Sequence, residues 1–378
     1  MKTKLLFTVF VAFSLLFCLL LVSCGTKDNT DVTDESHEHE YGEWVETEKA
    51  TCTETGEKEK KCSCGKTKTS EVEPLGHEYI EDYCIYCGER EPSEGIVYEL
   101  NVDRQSYRVE MYGECTDTVV CIPSEYMGKP VTKIRDCAFM NCKDITEVVL
   151  PESITEIGEA AFKDCENLAE INIPSKVTMI LSRTFSGTSL TNVVIPEGVT
   201  YIGIAFSRCE KLKSITIPKT VTAIADMAFS ECTNIENVYI SDIGAWCEMG
   251  FGWDASTPLY YGGSLYLNGE LVTDLVIPEG VTKIEDHAFA WCKDLHSVTI
   301  PSSVTGIGKG AFKFCQNLTS VVIPQSVSDI GYSVFYRCNN LTIYCQAESK
   351  PSVWRDDWNS NVYNSTTIPV EWGYQTEK

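Results

Sequence analysis

The sequence predicts an α/β repeat solenoid, with coils of about 23 residues that each contribute one short parallel strand, preceded by a small Cys/His-containing amino-terminal module. Three observations carry this. From residue 131 the pattern V-T-x-I-x-x-x-A-F-x-x-C-x-x-L-x-x-V-x-I-P-x-x recurs in eight units, two of them one residue short. A phenylalanine stands three residues before a cysteine again and again, as Phe139/Cys142, Phe162/Cys165, Phe229/Cys232 and Phe312/Cys315. A proline closes almost every V-x-I segment, and proline, which lacks a donor for the ladder, belongs at a strand end.

Residues 155–177, TEIGEAAFKDCENLAEINIPSKV, show how one unit folds. L-x-x-V-x-I alternates as a strand does, while Phe, Cys and Leu at spacings of three share one face of a helical or 3₁₀ turn, which must be the inward face. A single coil cannot bury so many apolar positions, and stacked coils can. The period and the leucine spacing mark a leucine-rich-repeat solenoid.

Stacking also bears on the cysteines. Equivalent side chains in neighbouring coils run parallel about 4.8 Å apart, whereas a disulfide needs converging Cβ atoms about 3.8 Å apart. The ladder cysteines are therefore expected as buried thiols that behave as small hydrophobes. The unit TFSGTSL, residues 184–190, lacks the cysteine and puts Thr188 or Gly187 in its place.

Residues 281–304, VTKIEDHAFAWCKDLHSVTIPSSV, and the neighbouring units resemble the BspA-like class of leucine-rich repeats, found in surface proteins of host-associated bacteria and some protozoa. The resemblance runs over roughly residues 96–375. It implies the fold and, for function, adhesion or binding to host or microbial surface molecules. It implies no catalytic residue.

The solenoid is expected over residues 131–345. Residues 96–130 alternate in the strand manner and read as an amino-terminal cap, across which Cys115 and Cys121 either pair or stay apart. Residues 346–378 lose the repeat, gain Trp354, Trp358 and Trp372, and read as a carboxyl-terminal cap. An insertion, 241–270, interrupts the fifth unit. Asn268-Gly269 inside it is a two-residue hairpin turn, and insertions in solenoids project as loops. Its aromatic residues Trp246, Phe251, Trp253, Tyr260 and Tyr261, with Tyr239 on the adjoining strand, are the candidate ligand-binding residues; the alternative is that these rings pack on the solenoid's side. The residues between the inward Val and Ile of each strand, Val149 to Val322, form a second candidate surface.

The chain begins with Lys2 and Lys4, an apolar run from Leu5 to Val22 and then Cys24, the plan of a signal peptide over residues 1–23. Leu21-Val22-Ser23-Cys24-Gly25 resembles the lipobox of bacterial lipoproteins. That resemblance implies a lipid on Cys24 and a protein held on the extracellular face of the bacterial cell membrane. Residues 24–36 then read as a flexible spacer.

Residues 37–91 form the Cys/His module. Cys62-x-Cys64-Gly and Cys84-x-x-Cys87-Gly are paired turns at the separation of a zinc ribbon, with His37, His39, Cys52 and His77 as spare ligands. Disulfides are the competing reading outside a cell. A zinc held by four cysteines is structural, so no functional cofactor is expected.

The net charge of −24 repels phosphate and excludes nucleic acid as a partner. No H-E-x-x-H, G-x-S-x-G or phosphate-binding glycine loop is present, and His287 and His296 read as surface histidines. The expected function is a lipid-anchored surface binding protein rather than an enzyme, with a host or microbial surface protein or glycan as partner. A self-assembling envelope spacer is the alternative, followed by a hydrolase without a recognisable motif.

Overall fold

The computed structural model describes residues 39–52, 55–80, 83–84, 90–361 and 367–375. The proposed leader, Cys24, the spacer, His37 and Cys87 lie outside the described residues. The chain divides into two compact units, Met1–His77 and Glu78–Lys378.

The first unit is a three-stranded antiparallel sheet of Val45–Glu48, Gly56–Lys61 and Thr67–Val72 in sequence order. Its strands read VETE, GEKEKK and TKTSEV, so polar side chains occupy both faces and no strand offers an apolar one. Lys58 and Lys60 lie over the exposed Trp44 ring at 5.4 and 4.8 Å.

The second unit is a β-solenoid with two parallel ladders. The L-x-x-V-x-I segments stack as the first: Asn192–Val194, Ser214–Ile217, Asn237–Ile240 and Ser264–Leu267 form one run, and Asp274–Val276, Ser297–Thr299, Ser320–Ile323, Thr342–Cys345 and Val370–Trp372 another. The V-T-x-I segments form the second ladder from two-residue strands such as Lys283–Ile284, Gly306–Ile307 and Asp329–Ile330. The threonine explains itself here: its hydroxyl donates to the equivalent threonine carbonyl one coil back, as from Thr155 to Thr132 (3.2 Å) and Thr222 to Thr200 (3.1 Å).

The return side is made of tight turns, not the helical turn expected from the spacing of three. In most coils the residue before the pair that ends in the repeated phenylalanine and the one before the cysteine have positive φ: Ala160 (52°) and Asp164 (57°), His287 (61°) and Trp291 (70°), Ser333 (54°) and Arg337 (66°). Left-handed residues four apart cannot continue a right-handed helix. They turn backbone N–H groups toward the next coil, where Asp164 donates to Ser186 O and Trp291 to Lys313 O, each at 2.7 Å. Ile243–Glu248 is the one α-helix among the described residues.

The inward phenylalanines stack along the solenoid, with centroids 5.0 to 5.9 Å apart from Phe139 to Phe229 and 5.5 to 5.6 Å from Phe289 to Phe335. Each fully buried ring contributes about 1.5–3 kcal/mol of transfer free energy. The ladder cysteines beside them are thiols, and most are fully buried. They do more than fill space. Cys165 Sγ donates to Phe139 O at 3.0 Å, Cys232 to Phe206 O at 3.0 Å and Cys338 to Phe312 O at 3.1 Å. Thr188 takes the vacant place in its unit and donates to Phe185 O at 2.8 Å. Cys115 and Cys121 stay apart as separate buried thiols.

Both ends of the stack are closed. Val97–Leu100 runs antiparallel along Tyr107–Met111, whose other side pairs with Lys129–Ile134 of the first coil. At the far end Trp354 and Trp358 are buried, their rings 5.0 Å apart, and Trp358 meets Phe335 edge-on. An uncovered edge or end coil would present unpaired backbone and apolar surface to solvent.

The segment 241–270 does not project as a loop. It completes a coil of the solenoid with a different sequence. Gly250–Phe251 pairs with Ala223–Ile224 in the second ladder, and Ser264–Leu267 pairs with Asn237–Ile240 in the first. Asp242 caps the helix Ile243–Glu248, which leads into Gly250–Phe251, by accepting from Ala245 N at 2.9 Å. Ser264–Leu267 then folds back on Glu270–Leu271 through Asn268 (φ 51°) and Gly269 (φ 86°), the hairpin that the dipeptide predicts.

Candidate binding surface

The period of two along each first-ladder strand turns one side chain of every coil outward between two buried ones. In register these are Val194, Thr216, Tyr239 and Tyr266 in one run and Val276, Thr299, Val322 and Tyr344 in the next. None is charged, in a chain with 55 acidic and 31 basic residues. Val194 and Val276 are 67% and 65% exposed. Tyr239 and Tyr266 stand with ring centroids 5.1 Å apart, and Tyr344 meets Tyr374 at 4.7 Å.

Two residues earlier along each strand runs a second outward row, rich in small hydroxyl and amide groups. Ser214 donates to Asn192 Oδ1 at 2.7 Å and Ser297 to Asp274, whose carboxyl is held below the usual carboxylate range by the Ser297 and Thr273 hydroxyls. At the amino-terminal end of this face a groove of about 430 Å³ opens among Glu147, Val149, Glu170, Asn172 and Asn192. The first ladder breaks there, between Glu170–Ile171 and Asn192–Val194, and on the paired side the Asn172 side-chain amide extends the strand pairing: it accepts from Leu150 N at 2.7 Å and donates to Leu150 O at 2.6 Å.

The candidate recognition aromatics separate. Trp246 and Phe251 are buried, at 1% and 5% exposure, with Trp246 Nε1 donating to Ala288 O at 2.7 Å. They are core residues of the divergent coil and cannot touch a ligand. Tyr261 accepts from Glu231 N at 2.7 Å through its hydroxyl, standing in for the next coil's carbonyl. Tyr260 joins a flank row with Trp291 and Phe314, at 4.9 and 3.8 Å between successive centroids. The Trp291 and Phe314 rings lie face to face, so this row stabilises the coils more than it offers ring faces. Trp253 remains 59% exposed, and Tyr239 lies on the strand face. His287 is also inside, 3% exposed with its ring against Gly310, while His296 is at the surface. The left-handed turn at His287 directs it inward, which its variable position in the repeat did not reveal.

Of the four cysteines expected on zinc, Cys62 and Cys64 belong to the first unit. Cys84 belongs to the second, buried in the hairpin of Tyr79–Ile80 and Tyr83–Cys84. Within the first unit His39, Cys62 and Cys64 bring their donor atoms together. Tyr266, read in the sequence as one of the insertion's aromatic residues, and Tyr344, not singled out there, both join the outward row of the strand face. SLYL at residues 264–267 carries the alternation that would have placed Tyr266 on this face, once that segment is taken as a strand.

The family model described as BspA type leucine rich repeat region matches residues 131–247 and 263–350 in six copies, more than half of the chain. Among solved structures, a leucine rich cell surface protein from Faecalibacterium prausnitzii A2-165 is 24% identical, with 75% of this chain and 95% of that chain covered and a TM-score of 0.36. A leucine-rich repeat protein from Bacteroides ovatus ATCC 8483 is 22% identical over 74% of this chain and 98% of that one, with a TM-score of 0.35. The pneumococcal vaccine antigen PcpA is 18% identical over 70% and 83%, with a TM-score of 0.41. No curated protein matches the chain. The repeated V-T-x-I and A-F-x-x-C segments, their two stacked ladders and the family match agree: the chain belongs to the BspA-type leucine-rich-repeat family.

Proposed function

We propose that this is a lipid-anchored cell-surface binding protein that recognises protein or glycan ligands through the strand face of its solenoid. The observation that carries the reading is the outward row from Val194 to Tyr344, uncharged on a strongly acidic chain and backed by a rigid ladder. Exposed valines and tyrosines at strand spacing offer apolar contacts, and the neighbouring hydroxyl and amide row offers hydrogen bonds to peptide groups or sugar hydroxyls. Tyrosine suits such a surface because it covers a large area with little side-chain entropy. The leader and Cys24 supply the anchor, and among the described residues no helix is long and apolar enough to cross a membrane.

Binding of the chain from residue 25 onward to a panel of glycans and extracellular-matrix proteins tests the reading. Tyr239→Ser and Val276→Glu alter the face without touching the core. Each is expected to weaken a genuine interaction by about tenfold or more. Binding that survives both changes overturns the assignment of the strand face. A chain that associates only with itself makes the protein an envelope spacer instead.

A further inference from the structure

We propose that the first unit holds a zinc ion on His39, Cys62 and Cys64, and that this ion takes the place of a hydrophobic core. Cys64 Sγ lies 3.2 Å from His39 Nδ1, and the donor atoms of all three residues lie within 4.8 Å of one another. Tetrahedral zinc, with bonds of about 2.3 Å to sulfur and about 2.0–2.1 Å to nitrogen, places its donors about 3.5–3.8 Å apart. The three ligands need only small side-chain adjustments to close on one ion. Two thiolates and an imidazole suit zinc among the common divalent metals.

The backbone sets the ligands in place. Cys62 N donates to Lys66 O at 2.8 Å and Gly65 N to Cys62 O at 2.9 Å, a tight turn that brings both sulfurs to one side. Gly65, at φ +89°, takes a conformation that a side chain would resist. The isolated Tyr41–Cys62 bridge and the 3.0 Å bond from Gly42 N to Lys61 O hold the segment that carries His39 beside this turn.

A second, independent observation points the same way. Among the described residues of this unit the buried hydrophobic side chains are Cys52 and Cys62, while Trp44, Val45 and Leu75 are 40 to 62% exposed. A small sheet without an apolar face lacks the burial to fold by itself, and small domains in that position use metals or disulfides. Cys52 and His77 also bring their donor atoms within 4.8 Å of each other, so every described Cys and His of the unit stands beside another donor. The ligand set therefore differs from the four-cysteine ribbon that spacing alone suggested. Water takes the fourth position on the ion, and binding releases the proton of each ligating thiol.

The test uses the full chain isolated under reducing conditions, with metal content measured after incubation with zinc and removal of the excess. His39→Ala and Cys64→Ser should each lower bound zinc by one equivalent. Cobalt(II) in place of zinc should give the visible absorption of a tetrahedral thiolate site in the parent chain and lose it in both variants. Stripping the metal should open residues 39–77 to proteolysis and leave the solenoid resistant. Failure of the reduced chain to take up zinc or cobalt overturns the proposal, as does zinc content unchanged in both variants. Cys62 or Cys64 found in a disulfide in chain freshly isolated without reductant also overturns it, in favour of a covalent staple.

Discussion

Cys165, Cys209, Cys232, Cys315 and Cys338 sit in a dry column beside the phenylalanine stack, and each donates to the carbonyl of the phenylalanine one coil back. Cys165→Ala removes the S–H donation to Phe139 O and leaves a small void. The expected cost in unfolding free energy is about 1–2 kcal/mol. Cys165→Thr should cost less, because Thr188 fills the equivalent place in its unit and satisfies its hydroxyl within its own coil, on Phe185 O. Equal losses for the two variants would mean that the thiol acts by volume alone. Burial pushes the Cys165 and Cys292 thiols up to about 12. Their folded pKa lies above the unfolded value near 9, so the native state keeps protons that the unfolded state releases. This contribution is complete below about pH 9 and is lost as pH rises from about 9 toward about 12. Thermal stability should hold up to about pH 9 and fall above it. Alkylation of the native protein at about pH 8 should label exposed Cys137 and spare Cys165 and Cys292, as mass spectrometry of the digested chain will show. The cysteine's inwardness was legible from its spacing. Its hydrogen bond was not, because the acceptor lies 26 residues back and is reached only when coils stack.

The element that most changes its meaning is the divergent coil at 241–270. Its sequence breaks the repeat, yet both of its strands sit in the ladders of the regular coils. Buried Phe251 takes the place of the second-ladder isoleucine, in register with Ile224, and buried Trp246 ties the segment to Ala288 O. Deleting residues 241–270 should therefore expose the coils on either side and destroy cooperative unfolding of the solenoid. A deletion variant that keeps a single sharp transition near the parent midpoint, by circular dichroism, would show the segment to be a dispensable loop. The return turns teach a related lesson. A spacing of three suits a 3₁₀ turn and a string of tight turns equally well, and only the positive φ at positions such as Asp164 and Trp291 separates the two. Those positions carry Asn, Asp, Arg, Glu, Trp and Phe, so no residue type announces them.

For the whole molecule, anchoring is the property the proposed function needs most. Cys24→Ala should leave an unprocessed precursor or release the protein from the membrane fraction, and metabolic labelling with a fatty acid should mark the parent and not the variant. Label retained by the Cys24→Ala variant would put the lipid elsewhere, and an unlabelled parent would remove lipid anchoring. The order of residues alone dictates the repeat, its period, the strand in each coil and the inward set of Val, Ile, Phe, Cys and Leu. All of these follow from periodicity and from the need of an amphipathic coil to hide one face. Stacking and sheet pairing settle the rest: which aromatic residues reach solvent, how the divergent segment joins the ladders, and which histidine and cysteines of the first unit meet. Those outcomes depend on contacts between residues far apart in the chain, and no local pattern of side chains encodes the neighbour that such contacts supply.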